Sequence, residues 1–348
     1  MQITLLEQMN EPLVSIIIPC FNREKYLPET IASCLGQTYG SIELIIIDDG
    51  STDRTWDIIK KSMRNNPQIK AIRTTNQGQC SARNLGIKLA KGRYVKFLDS
   101  DDLLLPHSIN YQVQILRHFQ VDVTVGGVKL FRDRELISVH ENLMADVSFS
   151  NSILYQSFLE LILNQRFTFN EILISKSLVD NVEGFYSYLK GAEELNLCLK
   201  LAAIYPKSKI AFSEEVVLMK RIGCYSLAYD LRQQKPNPWL LLSLEHAGKY
   251  CLEQKKSLNT ELKNYVFNRL YISMTYAYRN GFVGKALVAY STWKLAKIKP
   301  PVLKPWYHHI LHHRLGFLWA EKILSIMRIF ISKIRAIFIY KTKSIQQK

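Results

Sequence analysis

Short strand-like runs, the first two rich in β-branched residues, punctuate the first hundred residues, each closed by a polar turn. Leu13–Pro19 (LVSIIIP), Ile42–Ile47 (IELIII), Ile69–Arg73 and Tyr94–Leu98 are four such runs. Between them lie helical patterns. Residues 25–36 place Leu27, Ile31, Ala32 and Leu35 on one face, a helix from about Asp53 carries Trp56, Ile59 and Met63, and residues 80–90 form a third. Near-continuous apolar strands alternating with helices imply a mostly parallel sheet covered on both faces. In such sheets the ligand crevice lies beyond the carboxyl ends of the strands. Those ends are Pro19–Asn22, Asp48–Ser51, Thr74–Gly78 and Asp99–Asp102, where polar and acidic residues collect.

The remaining pattern predicts organisation more coarsely. Residues 121–131, 171–174 and 209–219 read as strands, 153–164 and 190–203 as helices, and 238–298 as helices broken near Cys251–Lys256 and Asn280-Gly281. Pro300, Pro301 and Pro305 then interrupt the chain. The expected division is 1–230 as the α/β domain, 231–300 as a helical extension and 301–348 as a basic tail. The 348 residues, 47% hydrophobic and 22% charged, exclude a disordered or low-complexity chain. Six scattered cysteines without a CxxC pair argue against a disulfide framework or zinc ribbon and fit a reducing compartment. Residues 1–11 carry Glu7 and Glu11 and no apolar block, so no secretory signal is expected.

Charge is unevenly placed. Residues 1–130 hold 15 Lys+Arg against 13 Asp+Glu, and residues 301–348 hold 9 against 1, within a formal total of +16. Such a tail calls for an anionic partner. From Leu315 to Tyr340 a helical wheel sets Lys322, Arg328, Lys333 and Arg335 against Ile323, Met327, Phe330, Ile331 and Ile334. No stretch reaches the roughly 18 uncharged residues that a spanning helix needs, so the pattern is that of an in-plane anchor on an anionic membrane, with a helix packed on the domain core as the alternative. No RNA-binding motif accompanies it, and nucleic acid is not an expected partner. His308, His309, His312 and His313 have helical i,i+4 spacing but no HExxH glutamate, and read as an aromatic-basic interfacial segment.

Asp99-Ser100-Asp101-Asp102 directly follows a strand. Three carboxylates in four residues repel one another unless a cation sits among them. Mg²⁺ and Mn²⁺ take oxygen ligands, often one or two carboxylates with substrate phosphates; the simpler alternative is Asp102 capping a helix that starts near Pro106. Asp48 and Asp49, expected to be exposed at the sheet edge, can accept hydrogen bonds from a nucleobase N–H or a ribose hydroxyl, while Ser51 and Asp53 serve the turn. Phe21 can stack on a base, and Arg83, near a helix start, can meet phosphate or base.

Together, IIIPCFN, IIIDDGSTD, NQGQCSARNLGI and KGRYVKFLDSDD, in this order and spacing, resemble the family 2 glycosyltransferases over residues 12–225. The resemblance implies a GT-A fold with a helical C-terminal extension. It implies inverting transfer of a sugar from a nucleotide-sugar, of UDP type, to a hydroxyl of a glycan or lipid-linked glycan in cell-surface polysaccharide synthesis. It implies Mn²⁺ or Mg²⁺ on Asp101 and Asp99. It places Pro19, Phe21, Asn22, Asp48, Asp49, Arg83, Asp99 and Ser100 around the donor, with Phe21 and Asp49 at the base, Asp99 towards the ribose and Asp102 in support. The family's acidic pair falls on Glu193-Glu194, with Glu194 where the base Asp normally stands and Leu195 replacing an aromatic. That departure motivates a second reading, a nucleotide-sugar or glycan-binding relative without turnover. The implied location is the cytoplasm or the cytoplasmic face of a membrane.

Overall fold

The computed structural model describes residues 11–132, 152–155, 157–164, 169–222, 238–254, 259–279 and 282–298, together with Phe317, Ala320, Glu321 and Leu324. The chain divides into two compact units, Met1–Leu231 and Arg232–Lys348.

In the first unit, strands β1 (Val14–Cys20), β2 (Ile42–Asp48), β3 (Ile69–Arg73) and β4 (Tyr94–Phe97) alternate with helices α1 (Leu27–Leu35), α2 (Thr55–Asn65) and α3 (Gln79–Leu89). These strands are parallel neighbours in the order β3-β2-β1-β4. Every residue of β1, β2 and β4 is buried, because helices cover both faces of a parallel sheet. Val14, Ile16, Ile18, Leu44 and Ile46 face a core shared with Leu27, Ile31 and Ile59. The opposite face receives α3, where Gly86 lets the helix approach Ile17: a Cβ there would lie 2.3 Å from Ile17 Cγ2. Pro19 is tolerated in the central strand because pairing with β4 ends at Ile17–Phe97, before a ladder bond from its nitrogen would be needed.

Beyond β4 come β5 (Leu103–Leu104), α4 (Ser108–Phe119), β6 (Val123–Phe131), β7 (Ser152–Tyr155), α5 (Phe158–Asn164), β8 (Ile172–Ser175), α6 (Lys176–Asn181), α7 (Glu193–Ile204) and β9 (Ile210–Arg221). The order continues β4-β8-β6-β9-β5, with β7 also on β9. Here the sheet is mixed: β6 and β9 are parallel, while β8 runs antiparallel to β4 and β6, and β5 and β7 run antiparallel to β9. The helix expected over 153–164 is therefore a strand followed by a shorter helix, since β9 offers residues 152–155 an edge to pair with. Asp102 does not cap a helix either. β5 intervenes, α4 starts at Ser108, and the Asp102 carboxylate accepts from Arg221 N and Asn170 Nδ2.

The second unit contains α8 (Pro238–Glu253), α9 (Thr260–Arg279) and α10 (Val283–Leu295). Phe317, Ala320, Glu321 and Leu324 are buried in it. Phe317 packs on Tyr271, Tyr278 and Tyr290, and Glu321 accepts two hydrogen bonds from Arg279 at 2.8 and 2.6 Å. The rest of the basic tail and the histidine segment 308–313 lie outside the described residues. Among the described residues no helix is long and apolar enough to cross a membrane. Cys20, Cys34, Cys80, Cys198 and Cys251 are buried free thiols.

The α3–β1 contact leaves no room for a methyl group. Gly86→Ala is expected to cost about 1–3 kcal/mol through overpacking, read as a lower urea midpoint with an unchanged slope. An unshifted midpoint would show that the two elements separate freely.

Candidate active site

The order β2-β1-β4 puts a topological switch between β1 and β4, the place where open α/β sheets bind ligands. Phe21 and Asn22 leave β1 at that point, and Asp99–Asp102 leave β4. Phe21 is 41% exposed, and Asn22 adopts a left-handed φ of 52°. Asn22 tolerates this because its Oδ1 accepts from Thr52 N and its own N–H donates to Ser51 Oγ.

Asp48 and Asp49 are buried, not exposed as the sequence suggested. Asp48 Oδ1 accepts from Ser51 N at 3.0 Å, and Oδ2 lies 3.3 Å from Arg73 Nε. Asp49 accepts from Gln77 N at 2.8 Å and Gly78 N at 2.7 Å, fixing the loop that launches α3. The two side chains turn inward because these backbone donors otherwise lack partners. Asp49 also lines a cleft of about 590 Å³ with Thr74, Gln77, Ser81 and Asn84.

Arg83 on α3 is buried, and its guanidinium holds two carboxylates from distant segments. Nη2 donates to Asp99 Oδ1 at 2.9 Å and Nη1 to Glu193 Oε1 at 3.1 Å. Burial works against its charge, but Asp99, Glu193 and Glu194 outweigh this and push its pKa up. For Asp99, burial is likewise outweighed, by Arg83 and Lys220, and its carboxyl is held below the usual range. Asn170 is fully buried and donates to Asp99 Oδ2 at 2.8 Å and Asp102 Oδ2 at 3.0 Å. Asp102 is pushed up to about 8 by burial and by the charges of Asp99 and Asp101. Ser100 is buried between them in sequence. Asp101 faces Arg23 Nε across 3.6 Å, longer than a direct hydrogen bond.

The acidic pair opens α7, just after Ala192, which is left-handed at φ 57°. The two glutamates differ in kind. Glu193 is bound by Arg83 and by Gln79 Nε2. Glu194 accepts from Phe169 N at 3.2 Å. Its pKa is pushed up to about 7 by burial first, with Glu193 and Asp99 adding to it against Arg83. Phe97, Phe169 and Phe185 meet edge to face, with centroids 5.2 to 5.9 Å apart, and the Arg83 guanidinium lies over Phe185.

Sequence reading missed four contributors. Asn170 and Phe169 sit in a 3₁₀ turn before β8, where no motif marks them. Lys220, on β9, has its pKa raised by Asp99, Asp102 and Glu194 against the effect of burial. Arg221 donates to Asp101 O and Glu29 and stacks on Phe131 and Tyr26. Their signal in sequence is only a Lys-Arg pair ending a strand.

Residues 15–177 match the family described as Glycosyl transferase family 2. This chain carries a family 2 glycosyltransferase domain. An uncharacterized glycosyltransferase of Haemophilus influenzae is 44% identical over 120 residues, 34% of this chain and 48% of that protein. The Escherichia coli UDP-Glc:alpha-D-GlcNAc-diphosphoundecaprenol beta-1,3-glucosyltransferase WfaP is 45% identical over 121 residues, 35% of this chain and 48% of that protein. The chain thus spans about half the length of these curated relatives. Residues 1–349 of Staphylococcus aureus TarS, solved with UDP-GlcNAc, superpose with a TM-score of 0.63 at 20% identity over 82% of each chain, which shows the GT-A fold.

The donor set suits a hard divalent cation. Among the described residues no three His, Cys, Asp or Glu side chains converge to hold a metal by themselves. Asp101 could do so with phosphate oxygens from a bound donor, the usual Mg²⁺ arrangement. Burial first, and then the charges of Asp99 and Asp101, raise Asp102, and a cation beside Asp101 would oppose the second of these effects. Asp99 has both carboxylate oxygens hydrogen-bonded, one by Arg83 and one by Asn170.

Two outcomes follow for this cluster. Arg83→Ala strands buried carboxylates, so a loss of about 3–5 kcal/mol is expected in denaturant unfolding; Arg83→Lys, which cannot fork between two acids, should recover part of it. Glu194 has a folded pKa raised from 4.5 to about 7, so its contribution to stability is complete below 4.5 and is lost as pH rises through 7. Glu194→Gln should therefore melt higher than the parent at pH 8, with the gap closing towards pH 4.5.

Proposed function

We propose that this chain is an inverting glycosyltransferase, moving a sugar from a UDP-type donor to a hydroxyl of a glycan or lipid-linked glycan. The observation that carries the reading is Glu194. It is a carboxylate brought to about 7 by burial, set beside an acid cluster at the switch point of the sheet. A base poised near neutrality can take a proton from an attacking hydroxyl, typically worth about a hundredfold to ten-thousandfold. The Phe169 N–H orients one oxygen of that carboxylate. Arg83 ties the partner Glu193 to Asp99, so the base and the donor cluster share one rigid joint.

Phe21 supplies an exposed ring for the base, and Asp99, at the end of β4, faces the ribose in this reading. Lys220 and Arg23 add positive charge beside the aspartates for a diphosphate. Asp101 would hold Mn²⁺ or Mg²⁺, which when bound neutralises charge on the departing nucleoside diphosphate. Support for a UDP donor comes from the UDP-Glc of the E. coli relative and from the UDP-GlcNAc bound to TarS. The same relative's diphosphoundecaprenol substrate supports a lipid-linked acceptor. In this reading the protein works at the cytoplasmic face of an anionic membrane, consistent with the basic composition of its second unit.

The test is donor hydrolysis and transfer with UDP-glucose and UDP-GlcNAc in Mn²⁺. Asp101→Ala is expected to lose metal-dependent donor binding while keeping its melting temperature. Glu194→Gln should bind donor and lose transfer, with the parent rate rising with pH through about 7 as the base ionises. Full transfer by Glu194→Gln, with loss in Glu193→Gln, would give the role to the neighbour. Donor binding by the parent without turnover would favour the binding-protein reading.

A further inference from the structure

Helix α10 is built inside out for a helix in water. Its buried side is made of small residues, Ala286, Ala289, Thr292 and Ala296, with Trp293, packed against α8 and α9. Its branched aliphatics point outward: Val283 is 41% exposed, Leu287 38%, Val288 51% and Leu295 69%. At 100° per residue these four fall in one arc of about 140°, opposite the alanines. Of the eleven large apolar side chains exposed among the described residues, seven lie between Ile272 and Leu295. Three lysines accompany the strip and are themselves exposed: Lys294 lies within the arc, Lys285 is on the helix outside it, and Lys297 follows the helix end.

Charge says what covers this face. Residues 232–348 hold 21 Lys+Arg against 4 Asp+Glu, while residues 1–231 hold 25 against 26. The whole positive excess therefore belongs to the unit that exposes the strip. A second copy of so basic a unit would be repelled from it. Of the chain's own tail, the described Phe317 stacks on Tyr290, while Leu287 and Leu295 stay exposed. We infer that the outer face of α10 is a docking surface for an anionic lipid bilayer, with Val283, Leu287, Val288 and Leu295 entering the acyl boundary and the three lysines meeting headgroups. This is the geometry of an interfacial helix, with long lysine stems reaching up to the phosphate level. The inference rests on the membrane part of the proposed function and assigns the contact to a folded helix rather than to the tail alone.

The experiment is co-sedimentation of the full chain with vesicles of phosphatidylglycerol in phosphatidylcholine, and of phosphatidylcholine alone, with UDP-sugar hydrolysis measured separately without vesicles. The parent should bind the anionic vesicles. Leu287→Glu combined with Leu295→Glu should lower its partition coefficient at least about tenfold, and Leu287→Gln with Leu295→Gln should repeat the loss without new charge. Melting temperature and vesicle-free hydrolysis should stay at parent values. Lys285→Glu with Lys294→Glu and Lys297→Glu should abolish the preference for anionic vesicles. A parent that does not bind overturns the inference, as does a leucine variant that binds within about twofold of it. A leucine variant whose melting temperature falls by more than about 5 °C shows that the chain itself covers the face. A parent dimer that the leucine variant breaks assigns the face to a second copy. Loss of hydrolysis in every form, with vesicle binding intact, would count against the catalytic reading and leave the docking face standing.

Discussion

One buried guanidinium organises the first unit. Arg83 sits on α3 yet reaches Asp99 after β4 and Glu193 at the head of α7, partners 16 and 110 residues away. A buried cation is tolerated when its charge is matched. Carboxylates from two distant segments meet that requirement through Nη2 and Nη1. Because α3 is pressed onto β1 at Gly86, the guanidinium has little freedom, and the acids inherit its position.

The turn at Phe169–Glu171 completes the joint from the other side. The two Asn170 N–H groups bind Asp99 and Asp102, while the neighbouring Phe169 N–H binds Glu194. A three-residue turn thus fixes both the aspartate cluster and Glu194. Its aromatic ring belongs to the Phe97–Phe169–Phe185 group beside them. Five carboxylates share this region with Arg83 and Lys220, and they do not titrate alike. Asp99 is held low by the cations nearest it, while Asp102 and Glu194 are pushed up by burial and by their neighbours. Environment assigns different tasks to chemically similar groups.

The second unit follows a different logic. It carries almost no acid, and one of its few carboxylates, Glu321, is buried against Arg279. Its aromatic core of Tyr271, Tyr290, Trp293 and Phe317 is well packed, so the aliphatics left outside α10 are not the residue of a poor core.

Much was legible in the sequence because it depends on local pattern. The strand-like runs became β1 to β4, and the β-branched ones, β1 and β2, are buried on both faces, where such residues suit a strand. The acidic turn at residues 99–102 fell at a strand end, and the Glu193-Glu194 pair opened a helix, both as spacing implied. What the sequence could not settle were matters of long-range pairing. Whether Asp48 and Asp49 face solvent depends on which backbone donors need them. Whether residues 152–155 form a strand depends on an edge supplied by β9. The roles of Asn170, Lys220 and Arg221 appear only when segments more than sixty residues apart are brought together. Periodicity and turn chemistry are carried by adjacent residues, so the sequence alone determined the alternating sheet and the strand ends where its polar groups gather. Which of those groups are paired, buried or shifted is decided by desolvation and by contacts between distant segments, and these exist only in the folded chain.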